Sequence, residues 1–395
     1  MDYLRKFIIL DKLLFLLFKM KEIILFSYGD ANNASSWSNV PYCFSKELER
    51  RGIIVRKANI APSKWFSKAF SIVICKLLKM RYPLIEYDWT RTSLFAKLTE
   101  YKIKRTVEKY SSAECCIFMN FDFCNRYLQI PSILFCDWTY QILIKDRQKR
   151  NLYPLEEKFA LRQSEAIMRA KLVISLFPCC AKKMEIDYPN ANIHCLGGNI
   201  INNLCRTPLN LETVINKKLN SNKILFIGQK KYLIGAKLVI QAMKEIRGKG
   251  LSYTLDIIGM KARDIDKIPD FVTCHGYLHK DNYLENELYY RLICDAKVLI
   301  NPCKIWGGFS STIEAMYFAT PVIVAPYEDF VATFGKEVDF GYYFNSSSPE
   351  CLANLIEKLE DKSKYKSMCI EAHSVTNNHT WENYVDKMIE LWNNQ

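Results

Sequence analysis

The chain has 395 residues, of which 49% are hydrophobic and 25% are charged, and its formal net charge at pH 7 is +13. This length suits two domains of ordinary size, and this composition excludes extensive disorder. The excess of positive charge lies in the first half, because residues 1–205 contain 32 Lys and Arg against 19 Asp and Glu, whereas residues 206–395 contain 23 of each kind.

A basic first half indicates a phosphate-rich partner, either nucleic acid or an anionic membrane surface. The sequence has neither the aromatic and basic pattern of RNA-binding domains nor the Cys and His spacing of zinc fingers. We therefore predict contact with an anionic membrane surface and no binding of nucleic acid. The alternative is a solvated basic surface that has no partner.

Fifteen cysteines are present, none of them in a Cys-x-x-Cys pair and with no secretory signal ahead of them. In a chain of this size that pattern indicates free thiols rather than a disulfide framework. The doublets Cys115-Cys116 and Cys179-Cys180 lie in or beside apolar segments, where cysteine packs as a small apolar side chain. We predict a cytoplasmic protein without a structural metal.

Residues 1–19 are mostly apolar, but charged residues interrupt them. The run is too short and too charged for a membrane-spanning helix. The seven-residue spacing of Arg5, Lys12 and Lys19 is typical of a helix in the membrane interface, which predicts a protein peripheral at the inner face of the cell membrane. The alternative is that translation begins at Met20, and both interpretations stay open.

Apolar strands alternate with charged helical stretches through residues 20–205, which we predict to form the N-terminal domain. A helix begins at Pro41 and ends near Gly52. Such alternation predicts a mainly parallel sheet covered on both faces. The predicted strands are Glu22–Ser27, Ile53–Val55, Glu114–Met119, Ser132–Cys136, Leu172–Ser175 and Asn192–Cys195.

The polar stretch 206–222 is predicted to be a linker, after which the alternation restarts in a second domain, residues 223–372. Its first helix has one apolar face, formed by Val239, Ala242, Met243 and Ile246. The predicted strands are Lys223–Ile227, Tyr253–Ile258, Phe271–His275, Val298–Asn301 and Pro321–Ala325. Two such halves predict an α/β protein with two Rossmann-like, doubly wound domains facing a cleft, where ligands bind outside the carboxyl ends of the strands.

The last segment, residues 373–395, contains a predicted helix from Trp381 to Trp392. Its apolar side is unusually aromatic and needs a surface to dock on, so we predict that it packs back across the domain junction. The residues of that side are Trp381, Val385, Met388 and Trp392.

The segment most informative about chemistry runs from Asn301 to Met316. A strand ends at a Gly-Gly turn, and Ser310 and Ser311 then open a helix that carries Glu314. A helix N-terminus with free N–H groups suits a phosphate, and a carboxylate can accept hydrogen bonds from sugar hydroxyls. The same residues could instead serve only to cap the helix, so the segment alone leaves both interpretations open.

This segment resembles the donor-site signature of the family-4 (group 1) retaining glycosyltransferases. The usual form of that signature is Glu-Gly-Phe-Gly, four variable residues, Glu-Ala-Met and then a Gly-Pro-Val-Ile strand. Its counterparts here are Trp306–Phe309, Glu314–Met316 and Thr320–Ile323. Earlier segments are also similar to the family, namely Leu225–Gly228 with Gly235, Leu255–Gly259 and Cys274–Tyr277.

The resemblance implies the two-domain fold called GT-B and transfer of a sugar from a nucleotide-diphosphate donor with retention of configuration. It implies no metal or other cofactor. It also implies that Glu314 holds the donor ribose as part of the catalytic site, that Tyr277 lies near the base and that Gly228 belongs to the phosphate loop. The remaining donor-binding residues implied are Trp306, Gly308, Phe309, Ser310 and Ser311.

Several positions depart from the family pattern. Trp306 stands where the first signature Glu normally engages the donor sugar. Gln229 and Ile234 stand where the family has the Arg and Lys that neutralise the diphosphate. We predict that Lys230 and Lys231, in the same loop, take over this role.

Asp137 stands where the family often has a His at the end of a strand of the N-terminal domain. Because it follows the predicted strand Ser132–Cys136, we predict that its carboxylate acts as a catalytic group near the reacting sugar or the acceptor hydroxyl. A turn or helix-capping aspartate is the alternative. Residues 33–42 also resemble the family, and Trp37 and Ser38 within them are predicted to bind the acceptor in the N-terminal domain.

We predict a glycosyltransferase that builds a surface polysaccharide, such as lipopolysaccharide or capsule, on a glycan or lipid-linked acceptor. One alternative is a catalytically degenerate member that binds nucleotide as a partner subunit. Another is a nucleotide-sugar epimerase, against which the shortage of His and of paired carboxylates argues. A dehydrogenase is disfavoured because no Gly-x-Gly-x-x-Gly follows any predicted strand.

Overall fold

The computed structural model describes residues 21–304 and 308–394. The predicted leader helix of residues 1–19 and the side chain of Trp306 lie outside the described residues. The chain forms two compact units, one running to Gly198 and including the segment from Trp381 onward, the other comprising Asn199–Thr380.

The first unit is a parallel sheet of six strands, and helices connect all of them in sequence except the third and the fourth. Its strands are β1 (Glu22–Ser27), β2 (Ile54–Asn59), β3 (Cys115–Phe118), β4 (Ser132–Cys136), β5 (Leu172–Ser175) and β6 (Ile193–His194). Its helices are α1 (Val40–Arg50), α2 (Lys64–Arg81), α3 (Ser93–Lys109), α4 (Tyr140–Gln148), α5 (Pro154–Arg169) and α6 (Pro178–Asp187). Short 3-10 turns occur at Ser36–Asn39 and Trp89–Arg91.

The strand order of this sheet is β2-β1-β3-β4-β5-β6. Strand β1 pairs with both β2 and β3, so Ile23 lies opposite Val55 on one side and Cys115 on the other. The chain therefore adds β2 to one side of β1 and every later strand to the opposite side. Such a reversal leaves a crevice at the carboxyl ends of β1 and β3, which is where doubly wound sheets bind ligands.

The second unit holds a sheet with the order β12-β11-β10-β7-β8-β9 and parallel pairing. Its strands are β7 (Lys223–Ile227), β8 (Thr254–Ile258), β9 (Val272–Gly276), β10 (Val298–Asn301), β11 (Val322–Val324) and β12 (Gly341–Tyr343). Its helices are α7 (Leu211–Leu219), α8 (Leu233–Gly248), α9 (Tyr283–Asp295), α10 (Ser310–Tyr317), α11 (Glu328–Phe334), α12 (Pro349–Glu357) and α13 (Lys362–Thr376). The reversal here lies between β7 and β10.

The predicted apolar face of α8 is confirmed, because Val239, Ala242, Met243 and Ile246 are all fully buried in the core of the second unit. The two Rossmann-like α/β domains expected from the sequence are present. Burial of these apolar helix and strand faces is the main source of each unit's stability.

The stretch predicted as a linker, residues 206–222, contains helix α7. Ile215 of this helix is buried in the core of the second unit. Lys218 is also fully buried, and its Nζ donates to the carbonyls of Ile293 and Ala296 and to the hydroxyl of Thr320. This ammonium group satisfies carbonyls at the C-terminal end of α9, where a helix lacks its own donors, so α7 is an integral part of the unit.

The last helix, α14 (Trp381–Asn393), belongs to the first unit. Trp381 packs on Phe44 of α1 and Phe135 of β4, at ring-centroid distances of 5.5 and 6.2 Å. Asp386 pairs with Arg51 at 2.6 Å. The predicted aromatic stripe of this helix is buried, since Trp381, Val385, Met388 and Trp392 are at most 7% exposed.

Within residues 21–304 and 308–394, none of the helices is both long and apolar enough to cross a membrane.

Candidate functional site

The carboxyl ends of β7 and β8 bring two glycines into direct backbone contact in the second unit. A Cβ on Gly259 would lie 2.6 Å from the carbonyl oxygen of Gly228, and Gly259 has a φ of +101°. Both features exclude other residues at Gly259 without rearrangement. The loop that begins at Gly228 is thereby held at the reversal point of the sheet, beside the end of β10.

Gly235, on helix α8, has a packing role. A Cβ there would collide with the Sγ of Cys303 in the loop after β10. The missing side chain lets α8 and this loop approach each other. The sequence pattern alone could not separate this role from close approach to a phosphate.

Lys230 and Lys231 form a 3-10 turn between β7 and α8, and both are exposed. Lys230 lies 3.8 Å from the carboxylate of Asp264, and Lys231 lies 5.0 Å from the ring centroid of Tyr232. Surface ion pairs of this length contribute little free energy. Both ammonium groups are therefore available to an anion at the carboxyl end of β7.

Glu314 lies in helix α10 and is only 2% exposed. Lys280 contacts both of its carboxylate oxygens, at 2.7 and 2.6 Å. The hydroxyl of Tyr290 donates to Oε1 at 2.7 Å, and the hydroxyl of Tyr289 donates to Oε2 at 2.9 Å. Two donors on each oxygen use the hydrogen-bonding capacity of a carboxylate. A sugar hydroxyl reaching Glu314 has to replace one of them.

The two tyrosines are held in the protonated form. Burial, reinforced by the negative charge of Glu314, raises the pKa of Tyr289 and of Tyr290 well above the ordinary value. Their hydroxyls therefore remain hydrogen-bond donors to Glu314 over the whole working pH range.

The N-terminus of α10 is formed by residues 310 and 311. Phe309 occupies the N-cap position, and no side-chain hydrogen bond caps the helix among the described residues. Ser310 and Ser311 therefore occupy the first two helical positions, which leaves their role in donor binding a prediction. Gly308 precedes them in the described loop and is exposed.

The side chain of Phe309 packs in an aromatic cluster of the second unit. Its ring is fully buried and lies 5.2 Å from the ring of Phe330 and 6.3 Å from that of Phe334. The side chain is thus a core residue that fixes the start of α10, and only its backbone can face a ligand. A phenyl ring is more stable in an aromatic cluster than in water.

Tyr277, predicted to lie near the base, follows β9 and is 54% exposed. Its ring contacts that of His279 at 4.8 Å. The neighbouring His275 is bonded to Asp256 through Nε2 at 2.7 Å.

The first unit contains a cavity of about 330 Å³ at the reversal point of its sheet. Its wall includes Tyr28 after β1, Asn120 and Asp122 after β3, and Asp137 after β4. Trp37 also lines the cavity, so the structure brings together two of the residues predicted for acceptor chemistry, Trp37 and Asp137. Ser38 is exposed and is not part of the cavity wall.

Two carboxyl groups in this cavity have raised pKa values. Burial raises the pKa of Asp122, against hydrogen bonds from Gln163 at 2.6 Å and Tyr28 at 2.9 Å that stabilise the carboxylate. Burial likewise raises the pKa of Asp137, whose Oδ1 accepts from the backbone N–H of Trp138. Thr139, rather than Asp137, caps helix α4. Carboxyls that bind protons more readily than exposed ones are typical of functional sites.

Asn120 contributes a hydrogen-bond donor to the cavity. Its Oδ1 accepts from the backbone N–H groups of Asp122 and Phe123, which fixes the orientation of the amide. Its Nδ2 is buried and has no hydrogen-bond partner within the described part of the chain. Because an unpaired buried donor costs about 1–3 kcal/mol, this group is suited to a ligand oxygen.

The backbone beside the cavity is strained. Trp37, Ser38 and Asn39 have consecutive φ values of +35°, +52° and +73°, in the left-handed region. Residues with a side chain pay about 1–2 kcal/mol each there. Such strain is concentrated at functional sites, and here it sets the position of the Trp37 ring, which contacts Phe135 at 6.1 Å.

The residues that sequence reasoning missed are Lys280, Tyr289 and Tyr290 around Glu314, and Asn120 and Asp122 in the cavity. Asn120 and Asp122 had a usable signal, because polar residues directly after a buried strand lie at the binding edge of a parallel sheet. The partners of Glu314 had none, since residues 24–34 positions away meet it only after folding.

Among the residues that the structure describes, no group of three or more His, Cys, Asp or Glu is arranged to hold a metal ion. The sequence Asp264-Ile265-Asp266, which superficially matches a metal-binding pair, places Asp264 beside Lys230 and Asp266 beside Lys237.

Comparisons with known proteins match the second unit to one family. Residues 210–376 match the family model described as glycosyl transferases group 1. A search of curated protein sequences finds no match.

Solved structures share the fold of almost the whole chain. Sucrose-phosphate synthase from Thermosynechococcus elongatus aligns with a TM-score of 0.64 at 14% identity, covering 94% of this chain and 98% of the other. HepE from Anabaena, solved with UDP and glucose, aligns with a TM-score of 0.59 at 13% identity, covering 94% and 99%. A glycosyltransferase from Rickettsia africae aligns with a TM-score of 0.55 at 13% identity, covering 95% and 98%. The shared architecture is the GT-B fold.

Proposed function

We infer that this glycosyltransferase, whose residues 210–376 form a group 1 domain, transfers a sugar from a nucleotide-diphosphate donor to a glycan or lipid-linked acceptor with retention of configuration. We further propose that the reaction belongs to the synthesis of a surface polysaccharide such as lipopolysaccharide or capsule.

The observation that carries the donor assignment is the arrangement at the reversal point of the second sheet. The loop from Gly228, the N-terminus of α10 and the carboxylate of Glu314 belong to the elements that follow β7 and β10. A diphosphate fits a helix N-terminus and exposed lysines, whereas a ribose needs a hydrogen-bond acceptor. The binding of UDP by HepE supports a nucleoside diphosphate as the ligand class.

In this proposal Lys230 and Lys231 neutralise the diphosphate. They take the role of the family's Arg and Lys, whose positions are occupied in this chain by Gln229 and Ile234. Their exposed ammonium groups stabilise the negative charge that develops on the leaving nucleoside diphosphate, an electrostatic role that needs no metal. Glu314 holds the ribose, and a ribose hydroxyl takes the place of a tyrosine hydroxyl at its carboxylate. Tyr277 lies near the base.

The acceptor occupies the cavity of the first unit. Its aromatic wall, represented by Trp37 and Tyr28, suits the apolar face of a sugar ring, and its polar groups suit sugar hydroxyls. The Nδ2 of Asn120 donates to a hydroxyl oxygen, and Asp137 contacts the reacting hydroxyl.

The basic first half of the chain supports a location at an anionic membrane surface, where a lipid-linked acceptor would be held. Lys and Arg near such a surface are attracted by about 1 kcal/mol each. The protein would then be cytoplasmic and peripheral at the inner face of the membrane.

Thermal unfolding in the presence of nucleoside diphosphates and their sugars tests the donor assignment. A ligand at about 100 times its Kd stabilises the native state by about 2.7 kcal/mol, which raises Tm by roughly 5–10 °C for a unit of this size. We expect one base to give this shift, Glu314→Ala to abolish it, and Lys230→Ala combined with Lys231→Ala to reduce it.

The matched control is Lys249→Ala, which removes an exposed ammonium group paired with Glu357 on the same unit. Its ligand shift should equal that of the wild type. The donor assignment fails if no nucleotide raises Tm at concentrations above a millimolar. If the nucleotide raises Tm as much in the double lysine variant as in the wild type, only the role given to Lys230 and Lys231 is withdrawn.

A second candidate function is nucleotide binding without catalysis, as a partner subunit. The observation that favours it is the loss of three family residues, at Trp306, Gln229 and Ile234. Release of free sugar from a bound donor separates the two functions, because a binding subunit produces none.

A further inference from the structure

Helix α2 differs from the other long helices of the first unit in its exposure. It has 18 residues, and none of them is buried in the structure of residues 21–304 and 308–394. Its exposed large side chains include Met80 at 82%, Trp65 at 72% and Leu77 at 58%. Phe66, Ile72 and Val73 are also more than half exposed. Six large apolar side chains exposed on one helix mark an interaction site.

The charge of this helix has one sign. Lys64, Lys68, Lys76, Lys79 and Arg81 lie within it, and no Asp or Glu occurs from residue 60 to residue 85. At about 100° per residue, Trp65, Ile72 and Met80 fall on one side of the helix, with Lys76 between them. Lys64, Lys68 and Lys79 fall along one border of that side. This pattern is typical of a helix that lies in a lipid interface.

Helix α2 is attached to the segment that contains the turn Trp89–Arg91. Phe66 and Phe70 contact the ring of Trp89 at 6.0 and 5.7 Å, and the Sγ of Cys75 donates to the carbonyl of Tyr87 at 3.0 Å. The residues that follow Trp89, Thr90 and Arg91, line the cavity of the first unit. Helix α2 and the cavity are therefore joined through one short turn.

We propose that α2 docks this protein on an anionic lipid bilayer, with its apolar side chains in the boundary of the acyl chains and its lysines among the phosphates. The docking places the cavity next to the membrane. A sugar carried on a lipid then reaches the cavity while its lipid stays in the bilayer, and only this last step rests on the proposed function.

A second copy of the chain fits this face less well than a bilayer. In a two-fold symmetric contact the same patch meets itself, so five cations of one copy would face the same five of the other. Protein interfaces are also depleted of Lys. Anionic headgroups neutralise those charges, and acyl chains cover the apolar side chains without requiring a complementary shape.

Sedimentation of the purified full chain with vesicles tests the docking. The vesicles contain either phosphatidylcholine alone or phosphatidylcholine mixed with phosphatidylglycerol. We expect strong binding to the mixed vesicles and weaker binding to the neutral ones. Trp65→Ser, Leu77→Ser and Met80→Ser combined should weaken binding to the mixed vesicles by tenfold or more. Lys64→Gln, Lys68→Gln and Lys79→Gln combined should weaken it on the order of 100-fold, at about fivefold per charge.

Two matched controls remove the same chemistry elsewhere on the first unit. Leu161→Ser, Met168→Ser and Ile186→Ser remove three exposed apolar side chains, which are 64%, 46% and 79% exposed. Lys104→Gln, Lys158→Gln and Lys182→Gln remove three exposed charges. The apolar control should leave vesicle binding within about twofold of wild type. The charge control should weaken vesicle binding less than the α2 charge variant does, because charges far from the membrane surface are screened.

The proposal is overturned if both α2 variants bind the vesicles as strongly as the wild type does. It is also overturned if the wild type is a dimer and the α2 variants are monomers, because α2 is then an interface between copies. The nucleotide-induced rise in Tm is measured on the same variants and should be unchanged. If no nucleotide binds but vesicle binding still depends on α2, the proposed function fails and the docking stands.

Discussion

The ion pair between Lys280 and Glu314 provides a sharp test of how the second unit is held together. Glu314 is 2% exposed, and its carboxylate receives Lys280 together with the hydroxyls of Tyr289 and Tyr290. The substitution Lys280→Met keeps the apolar stem of the side chain but removes its charge. Glu314 is then left as a buried anion with two neutral donors.

The size of the effect follows from this geometry. Removal of one partner from a buried ion pair costs about 3–5 kcal/mol. The two tyrosine donors remain, so we expect the lower end, about 3 kcal/mol, which lowers Tm by roughly 6–12 °C for a unit of this size. Lys280→Met combined with Glu314→Gln removes the unpaired charge, and we expect it to recover more than half of that loss.

Thermal unfolding followed by circular dichroism measures these differences. The control is Lys249→Met, whose pair with Glu357 joins side chains that are 43% and 49% exposed, and which should cost less than about 1 kcal/mol. A loss for Lys280→Met no larger than that for Lys249→Met would show that the buried pair stabilises the unit no more than a surface pair does. Equal melting temperatures for Lys280→Met alone and combined with Glu314→Gln would show that the unpaired charge of Glu314 is not the cause of the loss.

Two further predictions concern buried polar groups. Burial lowers the pKa of Lys218 from 10.5 to about 8, so the unfolded state binds more protons between these values and stability rises with pH there. The free energy of unfolding of the wild type, relative to that of Lys218→Met, should therefore increase by about 2–3 kcal/mol between about pH 7 and pH 10. Urea unfolding measures this difference between the two proteins, and a difference that stays flat or falls over this range contradicts the prediction. In the cavity, Asn120→Asp keeps the acceptor for its two backbone N–H groups but loses the Nδ2 donor, so the KM for the acceptor should rise about tenfold or more while the KM for the donor stays unchanged. The control is Asn125→Asp, because the Asn125 side-chain amide donates to the carbonyl of Ile130 and does not line the cavity. Equal KM values for the acceptor in the two variants would remove Asn120 from the site.

Much of the fold could be predicted because strong local patterns determine it. The strands at Glu22–Ser27, Leu172–Ser175 and Lys223–Ile227 were predicted with the bounds that the structure has, since each is a short apolar run ended by polar residues or glycine. Strand β12 was missed because three residues, Gly341–Tyr343, are too few to show a period. Helix α7 was missed because its polar composition resembles a linker, and its anchor is the buried amine of Lys218, a residue type that is almost never fully buried.

The candidate sites were predicted most completely where one segment contains several of their residues. Glu314 and the hydroxyl residues before it form such a segment, and the resemblance to a family drew attention to it. Lys280, Tyr289 and Tyr290 reach Glu314 from the loop after β9 and from α9, and no local pattern announces that meeting. The exposed apolar side of α2 was also missed, because a helix is ordinarily expected to bury its apolar side.

The strand order explains why the two sites have to lie where they do. In each unit the first strand, β1 or β7, pairs on both sides, and the chain reverses its direction of growth there. In doubly wound sheets the connections on the two sides of such a point go to opposite faces of the sheet, so they leave a gap above the strand ends. Asn120 and Asp122 line that gap in the first unit, and Gly228 with Lys230 lies at the end of β7 in the second. A polar residue placed directly after either strand of such a pair is therefore a stronger candidate for function than an equally polar residue after an edge strand. By that criterion Asn120, which follows β3 of the pair, ranks above Asp137, which follows β4, although only Asp137 could be selected from a resemblance.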